Sequence, residues 1–254
     1  ITDRMFLTQH SARLGRSRAE QSRLQKQIAS GKRVSNPSDD PARYARIERV
    51  RHQLGKLDGT DGAASTARAK FDTAERSLDS MFNSLVRVKE LTVQSINFTL
   101  NAGERVAMIA EIQELQEQFE ALSATRYDGQ YVFSGTRSDT PPLDGNGAYQ
   151  GGGPGTVVEV GDNTEVDLSI DGSTIFDANV NVMQVFGNLI TNLQNNDTVA
   201  LGNSLDEITS AEEQVIVGRT EVGAQLSRVH VAEQLSEDIK VVLASEEQEA
   251  GDTD

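Results

Sequence analysis

Residues able to do chemistry are few in this 254-residue chain, and their spacing works against them. Three histidines, His10, His52 and His230, stand far apart in sequence, and none sits in a spaced metal-ligand motif; they read as solvated or seam histidines. The absence of Cys excludes disulfides and thiolate chemistry. "GGGPG" at residues 151–155 has the glycines of a phosphate cradle, but no Lys-Ser or Lys-Thr follows and Pro154 removes an amide donor, so it reads as a turn. "DNTEVD" at 162–167 lacks the glycine and closing glutamate of a calcium loop and reads as a polar hairpin. No catalytic constellation remains. Neither cofactor nor metal is expected.

The formal charge of -15 is unevenly spread: residues 1–60 carry 13 Lys and Arg against 6 Asp and Glu, and the remainder carries 11 against 33. After Arg137 the basic residues are Arg219, Arg228 and Lys240 alone. The arginines of the basic arm alternate with Gln, Ser and Ala and lack the interleaved aromatics of a base-stacking surface. An acidic protein surface is therefore the favoured partner, rather than nucleic acid or membrane. "ITDRMFLTQH" has no apolar core of a secretory signal, and no 18-residue apolar run exists to span a bilayer. Export would need a dedicated machine.

The elements that hold these residues are mostly helices. Scarce aromatics and abundant Leu, Ala, Glu, Gln and Arg predict long helices packed along thin seams, in an elongated shape. A helix runs from near Thr2 to Ile28; Gly31 suits the left-handed residue past its end, and Lys32 and Arg33 suit the negative end of its dipole. Asn36 precedes Pro37 and is pushed to extended conformations. Asp40 can accept from the free amides of a second helix whose first residue is Pro41. The second helix is expected to run to about Phe98, with a weak stretch at Gly55, Gly59 and Gly62 where it could bend. Its stripe is Phe71, Ala74, Leu78, Met81, Leu85, Val88 and Thr92, widened by Phe82 and Leu91.

A third helix with Met108, Ile112, Leu115, Phe119 and Leu122 pairs antiparallel with it. Gly, Pro, Asp and Asn punctuate short alternating runs from 131 to about 177, which predicts a small β insertion whose residues 138–175 are dispensable to the helices. Helical character resumes with Val182, Val185, Phe186, Leu189, Ile190 and Leu193. A last stripe follows through Leu205, Ile208, Val215, Val222, Leu226, Val229, Ala232, Leu235, Ile239 and Val242. The domains are an N-terminal arm and joint (1–40), a helical rod (41–130 plus 181–254) and the β-rich insertion (131–180). The first helix has only a weak stripe, Leu7, Leu14, Leu24 and Ile28, with Ser17 and Gln21 in the seam, and is expected to be disordered or frayed in a chain that is monomeric in solution.

Three blocks carry a resemblance. "ASGKRVSNPSDDPARYARI" at 29–47 resembles the N-terminal signature of bacterial flagellins and their hook-filament junction relatives, matching at Gly31, Arg33, Val34, Asp39 and Asp40. "LVRVKELTVQSIN" at 85–97, with Arg87, Glu90, Leu91 and Gln94, is similar to the family's rod-helix segment, and "GRTEVGAQL" at 218–226, with Arg219 and Gly223, to its C-terminal rod helix. The prolines Pro37 and Pro41, together with "YDGQYVFSGTRSDTPPLD", resemble the hook-associated junction branch rather than a typical flagellin.

The resemblance implies a mainly α, flagellin-like fold: an elongated antiparallel helical bundle or coiled-coil rod with a small β-rich insertion. It also implies an extracellular structural part of the bacterial flagellum, exported through the flagellar channel without a cleaved signal peptide, and not an enzyme. Its implied partners are copies of itself in a helical layer, the first hook-associated protein on the hook side, flagellin on the filament side and an export chaperone. The joint motif would then be Gly31, Arg33, Asn36, Pro37, Asp39, Asp40 and Pro41. The family's C-terminal segment would lie beyond Asp254 and pair with the first helix, so the sequence is expected to be a piece of a longer chain. A short flagellin building the filament itself is the alternative, followed by a helical adhesin or signalling module outside the flagellum.

Overall fold

The computed structural model describes residues 2–97, 101–153, 155, 157–161 and 164–252, with side chains from His10 onward except that of Ser11. Phe98, the expected end of the second helix, Pro154 of the glycine-rich turn, Asp162 and Asn163 of the polar hairpin and the side chain of Leu7 lie outside the described residues. The chain divides into two compact units, Ile1–Gly59 with Leu235–Asp254, and Thr60–Gln234. Residues 131–180 fall wholly inside the second.

Helices supply most of both. In order they are α1 (Thr2–Ser30), α2 (Pro41–Asn97), α3 (Ala102–Ser123), α4 (Ser173–Phe176), α5 (Val182–Asn195) and α6 (Thr198–Gly251). Gly55, Gly59 and Gly62 stay inside α2, where an added Cβ would meet nothing. Helix α3 starts where it does because Asn101 and Glu104 form a reciprocal cap: the Glu104 amide donates to Asn101 Oδ1 over 2.9 Å, and the Asn101 amide donates to Glu104 Oε2 over 2.8 Å. Between α5 and α6 the turn rests on Asn196, held at φ +53, and Asp197 caps α6 by accepting from the Val199 and Ala200 amides.

The second unit is built on the α2 seam. Phe71, Ala74, Leu78, Met81, Leu85, Val88 and Thr92 alternate spacings of three and four, and all are buried. Met108, Ile112 and Phe119 of α3 and Val185, Phe186, Leu189 and Leu193 of α5 join them, with Ile208, Ala211, Val215, Val222 and Val229 of α6. Ion pairs border the seam: Arg219 reaches Glu75 at 2.9 Å and Asp79 at 3.0 Å, and Lys89 meets the nearly buried Glu212 at 2.5 Å.

The β-rich part begins at Arg126, five residues before the expected boundary at 131. There Asp128 and Gly129, at φ +50 and +77, close a two-residue turn between β1 (Arg126–Tyr127) and β2 (Gln130–Tyr131). A second antiparallel hairpin joins β3 (Val157–Gly161) to β4 (Thr164–Asp167), with a register shift between Glu159 and Gly161.

The packing departs from two expectations. First, residues 138–175 do not form a core of their own, which argues against their being dispensable to the helices. Val160, Val166, Ile170, Ile175 and the adjacent Phe176 belong to the same buried cluster as α2, α3 and α6. The Phe176 ring stands edge-on to Phe119 of α3 at 6.2 Å and to Phe133 at 5.9 Å. Gly218 of α6 leaves room for Ile175, since a Cβ there would come within 2.6 Å of its side chain. Gln214, 2% exposed, then fastens the segment: its Oε1 accepts from the Asn179 and Val180 amides at 2.9 and 2.8 Å, and its Nε2 donates to the Ile175 and Val180 carbonyls at 3.1 Å each. Tyr149 ties the loops together, its hydroxyl donating toward the Phe133 and Gly152 carbonyls and accepting from the Gly172 amide. Burial, reinforced by the nearby Asp171 charge, pushes that phenol above its ordinary value, so it stays protonated as a donor.

Second, Leu235 and Val242 are not seam residues of α6; they are 49% and 59% exposed. The buried positions in this part of α6 are Ser236, Leu243, Ala250 and Gly251, with Ile239 packed beside Leu243. Ser236, small and polar, disguises the stripe in the sequence.

Truncating Phe176 removes an aromatic that bridges α3 and the insertion. Phe176→Ala is therefore expected to destabilise the second unit by about 3–5 kcal/mol. Deleting residues 138–175 is expected to abolish cooperative helical unfolding by circular dichroism. An unchanged transition in either variant would show that the insertion is only appended.

Candidate assembly joint

Two orphan sets of backbone groups meet between α1 and α2: the last carbonyls of one helix and the first amides of the next. Gly31 takes φ +67, where a side chain would be strained, and this ends α1. Ser30 Oγ accepts from the Lys32 amide at 3.2 Å, and Gln27 Nε2 reaches forward to the Arg33 carbonyl at 2.8 Å. The chain then runs through Asn36-Pro37-Ser38-Asp39, a turn closed by the Asp39 amide on the Asn36 carbonyl at 3.0 Å, with Pro37 at its second position.

The two aspartates do different work. Asp39 faces back: its Oδ2 accepts from the Asn36 amide at 2.9 Å and the Ser35 amide at 3.2 Å. These backbone bonds, Asn36 first and Ser35 second, hold its carboxyl below the usual carboxylate range. Asp40 faces forward. Its Oδ1 accepts from the Ala42 and Arg43 amides at 3.1 and 3.0 Å, and Pro41, which has no amide hydrogen, occupies the first turn of α2.

The sequence did not reveal what pins this stretch from outside. The Arg33 amide donates to the Gly251 carbonyl at the end of α6 over 2.6 Å, and Lys32 forms an antiparallel bridge with Asp252. Val34, 5% exposed, packs with Ile47, Ala250 and Tyr44. Beside this cluster Arg51 of α2 donates to Glu247 of α6 at 2.8 Å and to Glu48 at 3.1 Å; the Glu247 bond leads in raising its pKa further. Lys240 meets Asp58 at 2.6 Å, and Arg46 meets Glu246 at 3.5 Å. These exposed pairs contribute little each, but they are aligned along the two helices. A cleft of about 310 Å³ lined by Lys32, Val34, Ile47, Arg51, Glu247 and Gly251 lies at the joint. Gly31, Asn36, Pro37 and Pro41 are exposed, and Arg33 is half-buried.

The rod-helix residues fall in the other unit. Arg87 donates to Glu111 of α3 at 2.8 Å and to Glu90 at 3.0 Å, while Leu91 is buried. Arg219 belongs to the separate cluster with Glu75 and Asp79. Gln94 and Gly223 are exposed, with open space beside Gly223. His10, His52 and His230 are exposed, and no group of three or more His, Asp or Glu among the described residues could hold a metal ion. Also among these residues, no helix is long and apolar enough to cross a membrane.

A helical bundle whose N-terminal helix ends in this capped joint, with a β-rich insertion, is the arrangement of a flagellin-like structural subunit. Residues 1–138 match the bacterial flagellin N-terminal helical region, and the chain belongs to that family. Flagellar hook-associated protein 3 of Salmonella typhimurium is 24% identical over 264 residues, covering 94% of this chain and 83% of that protein. Its namesake in Escherichia coli is 27% identical over 180 residues, covering 70% of this chain and 57% of that protein. Among solved structures, a putative flagellar hook-associated protein from Vibrio parahaemolyticus superposes with TM-score 0.77 at 21% identity, over 84% of this chain and 100% of that one. The flagellar junction protein of Legionella pneumophila superposes with TM-score 0.68 at 16% identity, over 82% and 100%. These relatives are structural parts of the flagellum, and this chain has their fold.

Removing the forward cap leaves two first-turn amides of α2 without their side-chain acceptor. Asp40→Ala is expected to cost about 1 kcal/mol, too little to unfold the unit. Faster exchange of the Ala42 and Arg43 amides would register it. Unchanged exchange at both would show that the cap is redundant.

Proposed function

We propose that this chain is the hook-filament junction subunit of a bacterial flagellum, exported through the flagellar channel and assembled as a layer between hook and filament. The observation that carries this reading is similarity to hook-associated protein 3 over 94% of the chain, reaching through the β-rich insertion as well as the helices. Its partners on this reading are neighbouring copies of itself, a hook-associated protein on one side and flagellin on the other, with a chaperone before export. The role is structural rather than catalytic.

Residues 31–41 serve the assembly in this reading. A layer of identical subunits requires each N-terminal arm to leave its helical body at one angle, because heterologous contacts repeat any error around the layer. The turn at Pro37, the cap at Asp40 and the Arg33–Gly251 bond favour one angle. The charge asymmetry gives the contacts direction, with a basic arm set against acidic neighbours.

The test is deletion of the gene in its own bacterium, scored by electron microscopy. The expected result is intact hooks without filaments, with flagellin shed into the medium and filaments restored by the complete gene. Filaments present in the deletion strain would contradict the junction role. Hooks present with no flagellin shed or assembled, but flagellin restored by this gene alone, would assign the chain to the filament instead.

A further inference from the structure

Helix α6 offers solvent a face without charge. Val217, Thr220, Ala224, Ser227 and Val231 alternate spacings of three and four over about four turns, and all are exposed, Val217 by 49% and Val231 by 59%. Ile216, 46% exposed, widens the strip, and open space lies beside Gly223. Successive uncharged positions on one exposed helix face, in a chain with 25% charged residues, have the composition of a contact surface. Arg228 borders the strip. Of the three basic residues after Arg137, Arg219 meets Glu75 and Asp79 and Lys240 meets Asp58, whereas the exposed Arg228 pairs with no carboxylate among the described residues.

The same unit carries a face that matches it. On α3, Ala107, Ala110, Glu114, Glu117 and Ala121 repeat the spacing in the same phase, all exposed, with Val106 beside them at 67%. Neither Glu114 nor Glu117 has an ion pair among the described residues. Both helices run opposite to α2: α3 meets it through Arg87–Glu111, with Ser77–Thr125 just past its end, and α6 through Lys89–Glu212 and Arg68–Glu233. They are therefore parallel to each other, and copies standing side by side in one sense set α6 of one along α3 of the next in that direction. We propose that the 217–231 strip of α6 docks on the 107–121 strip of α3 in a second copy of the chain. In register, Val217 faces Ala107, Ala224 faces Glu114 and Val231 faces Ala121; Ser227 then faces Glu117, with Arg228 beside that carboxylate. The small residues let the backbones approach, and the charges fix the register. Two different faces meet, so the contact passes from copy to copy around a layer. Four turns of helix bury less than the roughly 800 Å² per partner of a standard interface, so the contact closes only where other contacts already hold the copies together. The inference rests on the junction reading for its setting and adds the surface.

The test reverses the charges in the complete protein, expressed in a strain deleted for the gene, with filament number per cell as the readout. Arg228→Glu and Glu117→Arg are each expected to lower it about tenfold, because like charges then face each other. The soluble protein's unfolding midpoint is expected to stay level, since neither side chain holds an ion pair among the described residues. A chain carrying both reversals is expected to regain its filaments. The absence of cysteine permits a second measurement: Val217→Cys with Ala107→Cys is expected to give a ladder of disulfide-linked copies in isolated flagella, and either substitution alone none. Normal filament numbers in either single reversal, no recovery in the double reversal, or no ladder would each overturn the contact. Dimers from Val217→Cys alone would put α6 against α6 and overturn it too. If the complete gene restores filaments to the deletion strain, any of these results leaves the junction role standing. Filaments in the deletion strain without the gene would remove the junction role, and the cysteine ladder would still read the contact.

Discussion

A helix that stops inside a chain leaves carbonyls without donors, and the helix that follows leaves amides without acceptors; about ten residues between Ser30 and Pro41 must satisfy both. The solution is a division of labour. Gly31 stops α1, Asp39 gathers the amides of Ser35 and Asn36, Asp40 gathers those of Ala42 and Arg43, and Pro41 needs no acceptor for its nitrogen. The Gly251 carbonyl then fixes the stretch to the far end of the chain through the Arg33 amide. Beside that bond Val34 is buried against Ile47 and Ala250, and this small core beneath the joint holds the same stretch by apolar burial.

The second unit is governed by shape rather than polar satisfaction. The α2 seam is a buried edge onto which α3, α5, α6 and the insertion all pack, with Phe119, Phe133, Phe176 and Phe186 fully buried in the same cluster. Gly218 and Gln214 explain how an irregular segment can sit against a regular helix. One gives Ile175 room, and the other replaces the backbone bonds that residues 175–180 do not make with a neighbouring strand.

Much of this was legible in the sequence because a single local cause dictated it. The seven-residue stripe of α2 is mostly large and apolar and is regularly spaced, and Gly31, Asp40 and Pro41 each have one strong positional preference at helix ends. What escaped depends on partners distant in the chain. Nothing near Arg33 announces Gly251, and a mid-helix Gln214 looks like any solvated glutamine until Asn179 and Val180 are placed beside it. The turn-rich composition of 131–180 correctly signals short strands, yet it says nothing of whether Ile170, Ile175 and Phe176 form their own core or complete another. On α6 the apolar Leu235 and Val242 outweigh Ser236 on any hydrophobicity scale, although it is Ser236 that faces inward.

The central claim is that the joint sets an angle and does not merely punctuate two helices. Converting Pro37 and Pro41 to Gly widens the backbone freedom of the stretch while leaving Asp39, Asp40 and the Arg33–Gly251 bond in place, so each subunit must lose more conformational entropy on joining a layer. The most direct measurement places this double variant in the complete protein in a deletion strain and records filament number per cell beside the soluble protein's unfolding midpoint. A fall in filament number with an almost unmoved midpoint is the expected result. Normal filament numbers at normal expression would contradict the claim.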